Sequence, residues 1–224
     1  MINAIILVPE ITKGMKSVGS KSLLKIKNGK YIIQHQIEQL LNISKNMNIT
    51  IATGFDHDKI IKIVDIYPRV TTLYNEEYLS TNFGKSLEMY LDINPDIDNI
   101  FIINSGILFR PSTFSVQQLK NTSKLFILDK AKNNFDIGCN NNQNIEYLFY
   151  DLPNAWSECV FVNRDAICSL LQIMTKKPIA QMYIFEIINQ IIARGTRFEK
   201  HTVSKKNFLK ISTIKDINRA KIFV

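Results

Sequence analysis

Ala4-Ile5-Ile6-Leu7-Val8, closed by Pro9, is an unbroken apolar run. A strand that alternates apolar with polar residues has one wet face; a strand without polar positions needs cover on both, as the central strand of a parallel sheet has. Residues 31–41 follow with Ile33, Ile37, Leu40 and Leu41 on one helical stripe, after the turn residues Asn28 and Gly29. Ile49–Thr53 alternates as a second strand, and the next helical spacing, Ile60, Ile61, Val64 and Ile66, is stopped by Pro68. Val70–Tyr74, Asn82–Leu91 and Asn99–Asn104 then read as strand, helix and strand. Right-handed crossovers turn this β-α-β-α-β-α-β order into an α/β, Rossmann-like architecture with a central, mostly parallel sheet flanked by helices. Its ligand crevice is expected at the carboxyl ends of the strands.

Beyond Phe109 the rhythm loosens. Strands are expected at 123–128, 145–150 and 158–162, helices at 164–174 and 180–194, and a last strand-helix pair at 207–221. Asparagines at 133–134, 140–142 and 144 mark turns, because asparagine tolerates left-handed backbone. With no internal repeat and no linker, the chain reads as one domain over 1–224. Residues 1–110 form a nucleotide-binding half and 111–224 a substrate-side half.

The 224 residues are 46% hydrophobic and 21% charged, which suits a packed core and excludes a disordered chain. No apolar run reaches the roughly 18 residues of a membrane span, and the opening residues lack the basic and small-residue pattern of a signal peptide. A cytoplasmic protein without membrane association is the expectation. Cys139, Cys159 and Cys168 are unevenly spaced, with no histidine to complete a zinc site, and read as structural thiols. The formal charge is +8, and its cationic clusters are small: Lys124, Lys130 and Lys132, then Lys176–Lys177 and Lys205–Lys206. A solvated cationic surface accounts for them without invoking a nucleic-acid motif. Nucleic acid is the weaker partner expectation, behind a nucleotide or phosphorylated small molecule, with a protein partner as a further alternative.

Several segments, in order, carry a resemblance. After the first strand comes Lys21-Ser22-Leu23-Leu24, then Asn28-Gly29-Lys30 leading into helix 32–41. Ala52-Thr53-Gly54-Phe55 is similar to a strand-end "TGY", and Tyr74-Asn75-Glu76-Glu77-Tyr78-Leu79-Ser80-Thr81-Asn82 to "YNPEYxxTN". Lys210-Ile211-Ser212-Thr213-Ile214-Lys215-Asp216-Ile217-Asn218-Arg219-Ala220 resembles a closing "IDTPEDLERA". Together they resemble the nucleoside triphosphate transferases, in particular the sugar-phosphate and CTP:phosphocholine cytidylyltransferase branch, and imply a nucleotide-diphospho-sugar transferase-like fold.

The chemistry implied is attack of a substrate phosphate on the α-phosphorus of a nucleoside triphosphate, releasing pyrophosphate, with Mg²⁺ held by aspartates. The resemblance puts Lys21 in the catalytic role of a phosphate-binding lysine. It makes Lys13 and Lys16, in the loop, and Asn82 and Ser86 nucleotide-binding candidates. Tyr150 and Trp156 fall in a substrate-side segment, where an aromatic face stacks on a base or holds a choline-like cation.

The match breaks at three places. The family's Ala-Gly-Gly-type loop is replaced by Pro9-Glu10-Ile11-Thr12-Lys13-Gly14. Aligning Asn104-Ser105-Gly106-Ile107-Leu108-Phe109 with "NGDxLF" puts Gly106 on the first metal aspartate, and the closing motif puts Ser212 on the second. No metal ligand is therefore assigned; Asp129, Asp151 and Glu158 are the carboxylates from which a relocated one would have to come. The leading expectation is a diverged nucleotidyltransferase-like protein that binds a nucleotide or sugar nucleotide, with metal-dependent transfer lost or altered. The alternatives are an active nucleotidyltransferase using Mg²⁺, with a phosphorylated sugar or choline-like acceptor, and a basic scaffold with no nucleotide site.

Overall fold

A computed structural model describes residues 2–8, 19–111, 113–129, 137–140, 142 and 144–224. Strand β1 (Asn3–Val8) lies between β2 (Asn48–Thr53) and β4 (Asn99–Asn104), parallel to both, and β3 (Val70–Tyr74) extends the run beyond β2. The apolar run at 4–8 has the two-sided cover its composition demands. Ile5 and Leu7 meet α3 (Phe83–Ile93), α4 (Arg164–Met174) and α5 (Ile184–Ala193) on one face. Ala4, Ile6 and Val8 meet α1 (Ile32–Ile43) and α2 (His57–Val64) on the other. Each fully buried isoleucine or leucine here contributes about 1.5–3 kcal/mol.

The second half completes the same sheet. Strand β9 (Asn154–Asn163) pairs antiparallel with β4 on one side and with β6 (Lys124–Leu128) on the other, and β10 (Glu199–Val203) runs parallel to β6. The order is β10-β6-β9-β4-β1-β2-β3, in which β9 alone reverses direction. Short β7 (Ile137–Cys139) and β8 (Leu148–Tyr150) pair with each other, and β7 also with β9. A separate ribbon joins β5 (Ile107–Phe109) to β11 (Phe208–Lys210), with α6 (Ile214–Phe223) behind it.

Several boundaries differ from the sequence reading. The strand expected at 158–162 begins four residues earlier, and that expected at 145–150 is confined to Leu148–Tyr150. Helix α5 starts at Ile184 rather than 180 because the Tyr183 N–H is capped by Glu186 Oε2 at 2.7 Å. On α1, Leu41 is only partly buried, whereas Gln36 and Gln39 are inside. Gln36 Nε2 donates to the carbonyls of Asn104 and Ile107 at 3.1 and 3.0 Å, and Phe109 N–H donates to Gln39 Oε1 at 3.1 Å. Two glutamines thus satisfy backbone groups of the β4–β5 turn that no strand reaches. No helix among the described residues is long and apolar enough to cross a membrane.

Candidate functional site

The β4–β5 turn lies where the parallel strands end. Gly106 sits there at φ +76°, a conformation disfavoured for residues carrying a β-carbon. A β-carbon at that point would stand 3.0 Å from both Cδ and Cε of Lys21 and 3.2 Å from the carbonyl oxygen of Ile211. Lys21 therefore lies directly across the position to which the resemblance assigns an aspartate. The turn that presents it is tied down from below: Ser20 N–H donates to Asp56 Oδ2 at 3.0 Å, and Leu23 N–H to the Ser20 carbonyl at 3.0 Å. Asp56, itself at φ +61°, also pairs with Lys59 at 2.7 Å.

The closing segment comes to the same place. Ile211 N–H donates to the Gly106 carbonyl at 2.9 Å, so Ser212 and Gly106 are neighbours across the β5–β11 ribbon. Asp216 is turned away to cap α6. Its Oδ2 accepts from the N–H groups of Ser212 and Thr213 and from the Thr213 hydroxyl, and Oδ1 takes Arg219 at 3.1 Å. Burial opposes ionisation of this carboxyl, but those donors outweigh it and hold it below the ordinary carboxylate range.

Glu158 completes the floor. The pairing of β6 with β9 jumps from Leu125↔Val160 to Ile127↔Trp156, placing two extra residues on β9, and within that bulge Glu158 takes a left-handed φ of +61°. A bulge re-aims a side chain that a regular strand would send elsewhere, and non-glycine residues hold such backbone only where surroundings enforce it. Trp156 Nε1–H bonds the Cys159 carbonyl at 2.8 Å across the bulge. Glu158 Oε2 accepts from Asn104 Nδ2 at 3.0 Å, and Oε1 pairs with Lys210 at 2.5 Å, both partners being largely buried.

These groups line one cavity of about 400 Å³: Lys21, Asn104, Ser105, Glu158, Lys210 and Ser212 on its polar side. Its opposite wall is aromatic, made by Phe83, Tyr150, Trp156, Tyr183 and Phe185. Tyr150 is half exposed and meets the Phe185 ring edge-on at 5.7 Å, while Tyr183 stacks on Phe185 at 6.1 Å. Trp156 is only 3% exposed and belongs mostly to the core.

Of the residues singled out from sequence, Lys21, Tyr150 and Trp156 are brought together in this cavity. Lys13 and Lys16 lie outside the described residues, as do most of the loop after Val8 and Lys130 and Lys132. Asn82 is the N-cap of α3, its Oδ1 accepting from Phe83 N–H at 3.0 Å, and Ser86 is buried in that helix; neither lines the cavity. Their connection to it is Phe83, one residue past the cap. Glu158 gave only the weak signal of one carboxylate among several, and Lys210 only its place in the closing motif. Tyr183 and Phe185 gave no signal separable from a helix start.

The donor set does not fit a protein-held Mg²⁺. A magnesium site needs oxygen ligands, chiefly carboxylates. Among the described residues no cluster of three metal-ligating side chains occurs, and the one carboxylate lining the cavity is taken up by Lys210 and Asn104. Asp129 accepts the Lys205 N–H at a different site, and exposed Asp151 sits in a left-handed turn.

No protein-family model matches the sequence, and no curated protein matches it. Solved structures do match in three dimensions, and they define the class: the chain has the nucleotidyltransferase fold. CTP:phosphocholine cytidylyltransferase from Streptococcus pneumoniae superposes with a TM-score of 0.76 at 18% identity, covering 99% of this chain and 98% of that one. The nucleoside-diphosphate-sugar pyrophosphorylase from Vibrio cholerae RC9 gives 0.75 at 11% identity, over 98% and 100%. The inositol-1-phosphate CTP transferase from T. maritima gives 0.70 at 13%, over 99% and 93%.

Proposed function

We propose that the cavity at the carboxyl ends of β1 and β4 binds a nucleotide or a nucleotide-linked small molecule, with metal-dependent transfer lost or altered. The observation that carries this reading is the convergence of Lys21 and Lys210 on one crevice, with Lys21 lying across Gly106. Two ammonium groups in a partly enclosed space neutralise phosphate without protein-bound metal, each as a point charge. Glu158, partnered by Asn104, fixes Lys210 rather than competing for ligand. The aromatic wall receives the base or the organic part of the ligand. Asn82 and Ser86 serve this site through α3, which carries Phe83.

A second reading has its own support. The aromatic rings of Tyr150, Tyr183 and Phe185 lining the same cavity suit a cationic headgroup, and one structural neighbour acts on phosphocholine. In that reading the phosphate of a phosphorylated acceptor attacks the α-phosphorus of a nucleoside triphosphate. The α–β bridging bond breaks, pyrophosphate leaves, and Lys21 and Lys210 stabilise the developing charge.

Thermal-shift titration with nucleoside mono-, di- and triphosphates tests the binding reading. Ligand that binds only the native state raises its melting temperature, and Lys21→Gln is expected to remove most of that rise. Absence of any shift at millimolar nucleotide would leave the scaffold alternative standing. Pyrophosphate release from a triphosphate and phosphocholine or a sugar phosphate, abolished by Lys21→Gln, would replace the first reading with the second.

A further inference from the structure

The main sheet ends at β10 on one side and at β3 on the other, and the two edges are built differently. Strand β10 carries Glu199, Lys200 and His201, and Asn144 bridges it at Glu199. Charged side chains and a covering segment keep an open edge from pairing with another chain. Strand β3, Val70-Thr71-Thr72-Leu73-Tyr74, has no charge and no proline, and four of its five residues are β-branched or aromatic. Among the described residues it pairs with β2 alone.

The outward backbone of β3 follows from its ladder. Ile49 N–H donates to the Arg69 carbonyl at 2.9 Å, and Asn75 N–H to the Thr53 carbonyl at 2.8 Å. In a parallel pair alternate residues bond the neighbouring strand, so Thr71 and Leu73 also turn to β2, while Val70, Thr72 and Tyr74 turn outwards. The Val70 N–H is taken by the Tyr67 carbonyl at 3.1 Å. The edge therefore offers the Val70 carbonyl and both backbone groups of Thr72 and Tyr74. Large apolar side chains are exposed on the segments that enter and leave the strand, Ile66 at 70% and Leu79 at 82%.

We infer that β3 is the interface of a homodimer, in which the β3 strands of two copies pair antiparallel about a two-fold axis at Thr72 and continue one sheet into the other. That register is self-complementary. The two Thr72 residues exchange N–H···O bonds, and each Tyr74 N–H meets the Val70 carbonyl across the axis. The same register brings Arg69 of one copy beside Glu76 of the other. Both are exposed; Arg69 reaches only the Asn48 side chain, at 3.4 Å, and neither has an ion pair among the described residues. Residues 56–79 carry five carboxylates against three lysine and arginine cations in a chain of formal charge +8, so the two copies meet where its positive charge does not oppose association.

Sedimentation velocity of the intact protein across the micromolar range tests this, with a reversible dimer as the expected result. Arg69→Glu and Glu76→Arg, each alone, set like charges against each other at both ends of the interface and are expected to weaken the dimer about tenfold. An equimolar mixture of the two variants is expected to restore it, because every such contact then joins opposite charges. Hydrogen exchange gives a second reading: the Thr72 and Tyr74 amides slow on dimerisation, whereas those of Thr71 and Leu73, already bonded to β2, do not change. A dimer that both variants leave intact, or Thr72 and Tyr74 amides that exchange equally fast in monomer and dimer, would overturn the assignment. A monomer at every concentration would also overturn it and leave the edge to an extended segment of a different protein. Nucleotide binding at the crevice is read separately, by thermal shift, and none of these outcomes decides it.

Discussion

Replacing Gly106 by alanine tests how the crevice is built. At φ +76° a β-carbon costs about 1–2 kcal/mol, and stiffening the unfolded chain returns about 0.4–1 kcal/mol. The new methyl also meets the Ile211 carbonyl oxygen at 3.2 Å, which is backbone and yields little, and Lys21 Cδ and Cε at 3.0 Å, which belong to a long side chain that it displaces. The net expectation is a loss of about 1–2 kcal/mol, or about 2–8 °C in melting temperature for a chain of this size. The displaced lysine loses a charge-assisted contact with phosphate, a further weakening of about ten- to hundredfold in nucleotide affinity. Differential scanning calorimetry and a fluorescence titration measure the two effects separately. The affinity loss should vanish in a Lys21→Gln background, since Gly106 acts through that side chain. A Gly106→Ala protein that melts at or above the wild-type temperature and binds nucleotide unchanged would refute both the turn geometry and the role given to Lys21.

Gly84→Ala strikes the other wall: its β-carbon would fall 1.9 Å from the Ile179 carbonyl oxygen, so α3 must move from the 179–182 segment and separate Phe83 from Tyr183. Overpacking of this kind costs about 1–3 kcal/mol, read in urea unfolding. Native thiol titration is expected to modify Cys168 alone, because Cys139 and Cys159 are buried and burial pushes the Cys139 thiol up to about 11 and the Cys159 thiol higher still. Reaction of either buried thiol without unfolding would contradict the core. Asp216 supplies a pH signature: its carboxyl is held below the ordinary 3.8, so its stabilisation is complete above that pH and lost as pH falls through the folded value. Urea midpoints should drop on going from pH 5 to pH 2.5, roughly the window below the carboxylate pKa, by more in the wild type than in Asp216→Asn.

The first half of the fold was legible because each element there carries its own period. Ala4–Val8 has no polar position, α1 has its stripe, and Pro68 marks a stop. The second half hides its signals in long-range events. Strand β9 reads as a short apolar run from 158 because its bulge breaks the alternation at Ser157 and Glu158, and nothing local tells that it runs antiparallel to β4. Gln36 and Gln39 look like solvent-facing residues until the β4–β5 turn needs donors and an acceptor. At the site, the resemblance led to Lys21, Gly106 and Ser212, which do meet in space. Glu158 was one carboxylate among three because what singles it out is a backbone angle. Tyr183 and Phe185 enter only because α5 starts late enough to turn them to the cavity.

The central claim is that lysines, rather than a carboxylate-held metal, supply the charge that receives phosphate. Its most direct test is a nucleoside triphosphate titration in excess EDTA, followed by the emission of Trp156, the chain's single tryptophan, which lines the cavity. Saturable binding that persists in EDTA and weakens about tenfold or more in Lys21→Gln is the predicted result. Binding that appears only when Mg²⁺ is added and is indifferent to Lys21→Gln would contradict it.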